Sequence, residues 1–289
     1  FMYKLNLFIE LIRLKKPIGY MLLFWPCSWG LTLIYDFSSN LNTYIFYLSL
    51  FFLGSLLMRS AGCIVNDIID KDFDKKVFRT KDRPLASNKI SIRTAIICVF
   101  SLCFLALIVL MNFNLFTIIL ALASMPLAFT YPLMKRFTYW PQLFLGITFN
   151  YGLVLGWTSI SGKLDIVILV FYFGAIFWTL GYDTIYGYQD IKDDEIIGLK
   201  STSIKFKKNP KTFLFLCYFF LISSLATGGY LMGFSYLYFL FLFFPLLHLF
   251  FYQIKVFKLD DPAICLKLFK SNNFFGLIIL VNILIGKIF

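Results

Sequence analysis

Runs of about 20 consecutive apolar residues, the length at which a helix crosses a bilayer, recur along this 289-residue chain. They fall at 17–35, 43–65, 92–111, 115–133, 140–159, 166–182, 213–232, 236–252 and 274–288. In hydrocarbon every backbone N–H and C=O has to be bonded within the segment, so such runs form helices. The last run is short, and the eighth contains Pro245 and His248. The expected architecture is all-α and polytopic, with about nine transmembrane helices in one domain spanning residues 1–289. Composition agrees: 60% of residues are hydrophobic and 15% are charged, against about 25% charged in a soluble domain.

The net charge of +12 is sorted by topology, which favours a membrane over nucleic acid as the partner. Of the 27 bases, 24 fall in the N-terminal segment and in the loops after the second, fourth, sixth and eighth runs; the opposite loops hold only Lys163. The positive-inside rule places the N-terminus and the basic loops in the cytoplasm, and nine spans put the C-terminus outside. The segment "LNLFIELIRLKK" reads as an amphipathic stretch along the inner interface. No apolar core with a small-residue cleavage site precedes it, so no signal peptide is expected, and a start at Phe1 points to a longer chain. The six cysteines form no CxxC pair and read as small core residues, not as disulfides or zinc ligands.

Ten of the fifteen acids sit in two segments on that same side. One holds Asp67, Asp70, Asp72, Asp74 and Asp82; the other holds Asp183, Asp190, Asp193, Asp194 and Glu195. Each follows a span directly, which suggests that the helices continue outward. At about 100° per residue, Asn66, Asp67, Asp70 and Asp74 share one face, with Arg59 two turns deeper on it. Asp72 points away. Asp183, Tyr186, Asp190 and Asp194 share a face in the second segment. Like charges one turn apart destabilise a helix, so something has to offset them. Two readings compete. Either the acids form a solvated cap with neighbouring lysines, or the two rows hold Mg²⁺, a hard cation that prefers one or two carboxylates together with substrate phosphates. In the second reading Arg79, Lys81 and Arg83 grip the remaining phosphate oxygens.

The motifs decide between them. "GCIVNDIIDKDFD" followed by "RTKDRPLAS" resembles the first signature of the UbiA prenyltransferase superfamily, and "YDTIYGYQDIKDD" followed by "GLKSTSIKF" is similar to its second. "YPLMKRFTYWPQ" resembles the segment typical of the 4-hydroxybenzoate polyprenyltransferase branch. The resemblance covers most of the chain, in the expected order and spacing. It implies that Asn66, Asp67, Asp70 and Asp74 form a first Mg²⁺–diphosphate site and that Asp190 and Asp194 form a second. Asp183 and Tyr186 lie close to the reacting groups, Arg136 binds the carboxylate of the aromatic acceptor, and Lys200 joins the substrate-binding bases. The implied architecture is a central cavity opening to the cytoplasm.

The implied reaction is electrophilic prenylation of 4-hydroxybenzoate by polyprenyl diphosphate, a step of ubiquinone biosynthesis, with Mg²⁺ as cofactor. The implied setting is a bacterial plasma membrane or an organelle inner membrane. No nucleic acid and no obligate protein partner are expected. The alternatives are a sibling enzyme acting on haem, a naphthoate or a chlorin, which the "YPLMKRFTYWPQ" segment disfavours, and a cation-coupled transporter. Transporter sites lie near the midplane in broken helices, whereas these acids lie at the ends of spans. Arg59, inside a span, either serves the site or pairs with Asp70 or Asn66 to hold the helix face. His248 reads as a satisfied core or interfacial residue. Tyr131, Tyr139 and Trp140 fit an interfacial aromatic belt, and Gly146, Gly228 and Gly229 fit close helix packing.

Overall fold

The computed structural model describes residues 2–77 and 80–289, Lys4 by its backbone alone. Arg79 lies outside the described residues. Among the described residues there is no strand. A surface helix, α1 (Met2–Leu11), precedes α2 (Ile18–Ile34), α3 (Leu41–Ile69) and α4 (Ile92–Leu110). Then follow α5 (Leu115–Phe137), α6 (Pro141–Ser161), α7 (Ile166–Gly187), α8 (Pro210–Leu231), α9 (Tyr236–Ile254) and α10 (Pro262–Ile288). Each of the nine expected spans coincides with one of α2 to α10. Eight of these are long and apolar enough to cross a membrane, while α2, with 17 residues, is at the short limit for a span. The chain is a multi-pass membrane protein. The last span differs from expectation: α10 starts at Pro262 and runs for 27 residues. Lys267 and Lys270 interrupt the apolar run without interrupting the helix.

Local chemistry sets the helix ends. Asn40, Ser91, Asn114, Asp165 and Asp261 each accept a hydrogen bond from a first-turn N–H, the usual role of such caps. Pro141, Pro210 and Pro262 open their helices where no N–H is needed. Gly162, at φ 64°, closes α6 in the left-handed conformation that glycine adopts freely.

The interior forms around α2, α6 and α7, which pack together with α8 and α10. Helices α2 and α6 approach at backbone distance because glycines line the seam. A Cβ on Gly30 would meet Leu153 O at 2.0 Å, and one on Gly156 would meet Cys27 O at 2.3 Å. The three glycines read from sequence as packing residues behave alike: Gly228 faces the Phe171 ring, Gly229 the Tyr238 ring and Gly146 the Ile176 carbonyl. The consecutive helices α4 and α5, by contrast, share no extended packing. Between them and α3 lies an apolar cavity.

Candidate active site

The first acidic motif does not continue α3 as a straight helix. The helix ends at Ile69; Asp70 caps it at φ −97°, ψ 6°, and Lys71–Asp74 forms a separate single turn. The second motif breaks in the same way. Helix α7 ends at Gly187, Asp190 caps a short helix, Ile191–Ile197, and Gly198 closes it at φ 80°. A row of acids one turn apart is relieved by bending the chain. The sequence division of the first motif nevertheless holds. Asp67, Asp70 and Asp74 are buried, whereas the Asp72 side chain is 88% exposed and pairs, among the described residues, with Lys75. Asn66 stands a turn above Asp70, whose N–H bonds to its carbonyl at 2.9 Å.

Three buried carboxylates in one place need cations, and three separate segments supply them. Arg83 Nη1 lies 3.1 Å from Asp67 Oδ1 and 2.8 Å from Asp74 Oδ2. Arg13, from the turn between α1 and α2, closes on Asp67, and Lys135, at the end of α5, closes on Asp70. Arg136 Nη2 donates to Ile69 O at 2.8 Å, stands 3.7 Å from Asp70 Oδ1, and places its guanidinium 5.1 Å from the Phe73 ring centre. Burial opposes the Arg13 charge, but Cys63, Asp67 and neighbouring tyrosines outweigh it, holding the guanidinium above its ordinary value. Arg13 also has φ 55°, a costly conformation for a side chain of its size. Neither Arg13 nor Lys135 was singled out from sequence. Both were counted with the topological charges, and only their distance from Asp67 and Asp70 in the fold sets them apart.

The second motif is tied to the same place. Lys200 N donates to Lys135 O at 2.8 Å and its Nζ to Phe137 O at 3.3 Å. Leu199 N donates to Asp194 O at 2.9 Å. The loop after the second motif is therefore bound to the segment whose lysine holds Asp70. Lys81 is exposed.

Inward from the carboxylates, Arg59 lies over the Phe149 ring at 5.5 Å, and its Nε has no hydrogen-bond partner. It pairs with neither Asp70 nor Asn66, which corrects the structural pairing considered from sequence. It stands instead near Tyr131, Tyr186 and Asp183. Tyr131 is likewise no belt residue: its ring packs 6.3 Å from Phe149 and lines the cavity. Lys200 and Lys205 cover the other two aromatics, Tyr139 and Trp140. The cavity has a volume of about 490 Å³ and runs from Arg59 and Tyr131 to Phe51, Leu110 and Phe113. Cys27, Ser55 and Gly152 form part of its wall.

A divalent cation is compatible with this donor set. Asp70 Oδ1 is buried without a hydrogen-bond partner, and the ligands on offer are hard oxygens. Among the described residues no three acidic, histidine or cysteine groups stand close enough to hold a metal on their own. That suits Mg²⁺, which takes much of its coordination from water and substrate phosphates.

The sequence pattern of the UbiA prenyltransferase family matches residues 23–279. The mitochondrial 4-hydroxybenzoate polyprenyltransferase of Bos taurus is 44% identical over 282 residues, covering 97% of this chain and 75% of that protein. Among solved structures, a UbiA homolog from Aeropyrum pernix K1 superposes with a TM-score of 0.76 at 22% identity, covering 93% of this chain and 98% of the other. A UbiA homolog from Archaeoglobus fulgidus, bound to GPP and Mg²⁺, gives 0.72 at 18% identity over 97% and 98%.

Proposed function

The chain belongs to the UbiA prenyltransferase family, and from that premise we propose that it is a Mg²⁺-dependent 4-hydroxybenzoate polyprenyltransferase. It would attach a polyprenyl group ortho to the phenol hydroxyl, a step towards ubiquinone. One observation carries the reading: a cluster of buried carboxylates, each matched to a basic side chain, begins on α3 about one to two turns past Gly62 and Arg59, which line an apolar cavity. Such a cluster suits a diphosphate, and such a cavity suits its hydrocarbon tail.

Asn66, Asp67, Asp70, Asp74, Asp190 and Asp194 would hold the metal, which when bound neutralises the diphosphate and improves it as a leaving group. Arg79, Lys81, Arg83 and Lys200 would take the remaining phosphate oxygens. Arg83, which pairs with Asp67 and Asp74, would turn from carboxylate to phosphate as phosphates arrive, freeing those carboxylates for the metal. The allylic C–O bond then breaks, its electron pair leaving with diphosphate. The allyl cation that remains is sheltered from water and faced by aromatic rings. The ring carbon ortho to the hydroxyl supplies the pair for the new C–C bond, and loss of its proton restores aromaticity. Arg136 would anchor the acceptor carboxylate, with Asp183 and Tyr186 orienting the phenol.

The charge asymmetry puts the site on the cytoplasmic or matrix side of its membrane. The mitochondrial designation of the Bos taurus relative supports an organelle inner membrane over the bacterial alternative. The test is an assay of membranes containing the protein with 4-hydroxybenzoate, a set of polyprenyl diphosphates, and Mg²⁺ either present or chelated. Prenylated acid that forms only with free Mg²⁺ is the expected result. No transfer to that acceptor would refute the substrate assignment, and chelator-insensitive transfer would refute the metal.

A further inference from the structure

Among the described residues, three helix ends close in the same way. One N–H just past the helix bonds a carbonyl three residues back, and the next N–H bonds one five residues back, the pairing of a Schellman turn. Gly198 N donates to Glu195 O at 3.2 Å and Leu199 N to Asp194 O at 2.9 Å. Gly233 N donates to Tyr230 O and Phe234 N to Gly229 O, both at 3.0 Å. At the end of α1, Arg13 N donates to Glu10 O at 3.0 Å and Leu14 N to Ile9 O at 3.1 Å. The first residue of each pair enters the left-handed region, at φ 80°, 68° and 55°. Two of these turns use glycine, which enters without steric cost. The third uses arginine, whose Cβ crowds the following carbonyl oxygen there. The other non-glycine residue at positive φ among the described residues, Asn88 at 58°, is of a type that tolerates it. Strain at a single residue persists where the surrounding structure imposes it, and such residues cluster at ligand clamps and active sites.

Three apolar side chains do the imposing. Leu11 of α1, Ile64 of α3 and Leu85 of the loop after the first motif share one buried cluster, each no more than 1% exposed. Arg13 follows Leu11 by two residues, Asp67 follows Ile64 by three, and Arg83 precedes Leu85 by two. The cluster thus delivers two guanidinium groups to one carboxylate, and both reach the same oxygen, Asp67 Oδ1. The two bases are not equivalent. Arg83 is shared with Asp74, whereas Arg13 makes no second ion pair among the described residues. Tyr131 and Tyr186 stand near the Arg13 guanidinium, and Tyr186 belongs to the second acidic segment.

We propose that Arg13 is a positioning residue of the prenyl-transfer site, carried in on α1 to keep Asp67 fixed when Arg83 turns to the substrate phosphates. The inference rests on the function proposed above. Without Arg13, the departure of Arg83 would leave Asp67 with no ion-pair partner among the described residues just as metal and substrate arrive. A guanidinium is always charged and presents its donors as a rigid fork, which suits a base that has to stay in place while its neighbour moves. That use of the side chain accounts for an arginine where the backbone favours glycine.

The experiment uses the whole protein in phospholipid nanodiscs and compares Arg13→Gly, Arg13→Ala and Arg13→Lys with the parent. Two quantities are read: the melting temperature without metal, and the binding of farnesyl diphosphate with Mg²⁺ and no aromatic acceptor. Glycine relieves the backbone and alanine does not, so Arg13→Gly should melt about 3 °C above Arg13→Ala. Binding should weaken about tenfold in both alike, with Arg13→Lys between them and the parent. Stability and binding then separate, which a residue serving only to cap α1 would not produce. If Arg13→Ala fails to fold, the binding of Arg13→Gly against the parent decides. Parent-level binding by Arg13→Gly, or binding that follows the melting temperatures across the variants, would overturn the inference and leave Arg13 a helix cap. A parent that binds no prenyl diphosphate would refute the proposed function along with this role, whereas a binding parent with indifferent variants would refute the role alone.

Discussion

Arg83→Ala tests whether the carboxylate cluster is held together by the bases around it. Arg83 bridges Asp67 and Asp74 at 3.1 and 2.8 Å, but the two acids depend on it unequally. Asp67 also has Arg13; the Asp74 carboxylate has no other ion-pair partner among the described residues. The substitution therefore strands one buried charge rather than two. Breaking a buried pair from one side costs about 3–5 kcal/mol. With the Arg83 side chain 23% exposed, solvent can enter and trim that to about 2 kcal/mol. For a chain of this size the loss corresponds to a fall in Tm of about 3 °C, measurable by thermal unfolding in detergent without metal. Asp74→Asn added to Arg83→Ala removes the stranded charge, so the double variant should recover at least about half of the loss. A single variant within about 0.5 kcal/mol of the parent, or a double variant no more stable than the single, would refute the reasoning. Prenyl transfer should be lost in both variants.

Asp70→Asn or Asp190→Asn should abolish Mg²⁺-dependent transfer in membranes while leaving the protein inserted; unchanged turnover in either would sink a two-motif metal site. Arg136→Ala should raise KM for the aromatic acid about tenfold or more with less change in kcat; an effect confined to the prenyl diphosphate would move Arg136 to the other substrate. Ser55→Phe, in the wall of the cavity that Arg59 and Tyr131 also line, should shift the products to shorter tails when mixed polyprenyl diphosphates compete. Mass spectra showing an unchanged tail distribution would mean that the tail lies elsewhere.

The sequence by itself determined the spans, the uneven distribution of bases among the loops and the residues of the two acidic motifs, because each of these is local. An apolar run has to be helical in a bilayer wherever it occurs, and a base in a loop carries its topological bias without any partner. Helical geometry even separated Asp72 from its three neighbours, although the helix on which that argument rested ends at Ile69. The acids repel one another along a continuous helix, and the break at Asp70 relieves them while keeping Asp67, Asp70 and Asp74 turned inward.

The tertiary structure decided which bases reach the buried carboxylates. Arg13 and Asp67 are 54 residues apart and Lys135 and Asp70 are 65 apart, and nothing in either local pattern distinguishes these cations from their neighbours. The same holds for Arg59, which packs over Phe149 instead of pairing with the acids above it. It holds too for the hydrogen-bond chain from Trp178 to His248, assembled from α7, α8, α9 and α10. Helix formation is settled by neighbours along the chain. Charge pairing and cavity shape are settled by which helices meet, and here glycine seams such as Gly30 against Leu153 set how closely they do.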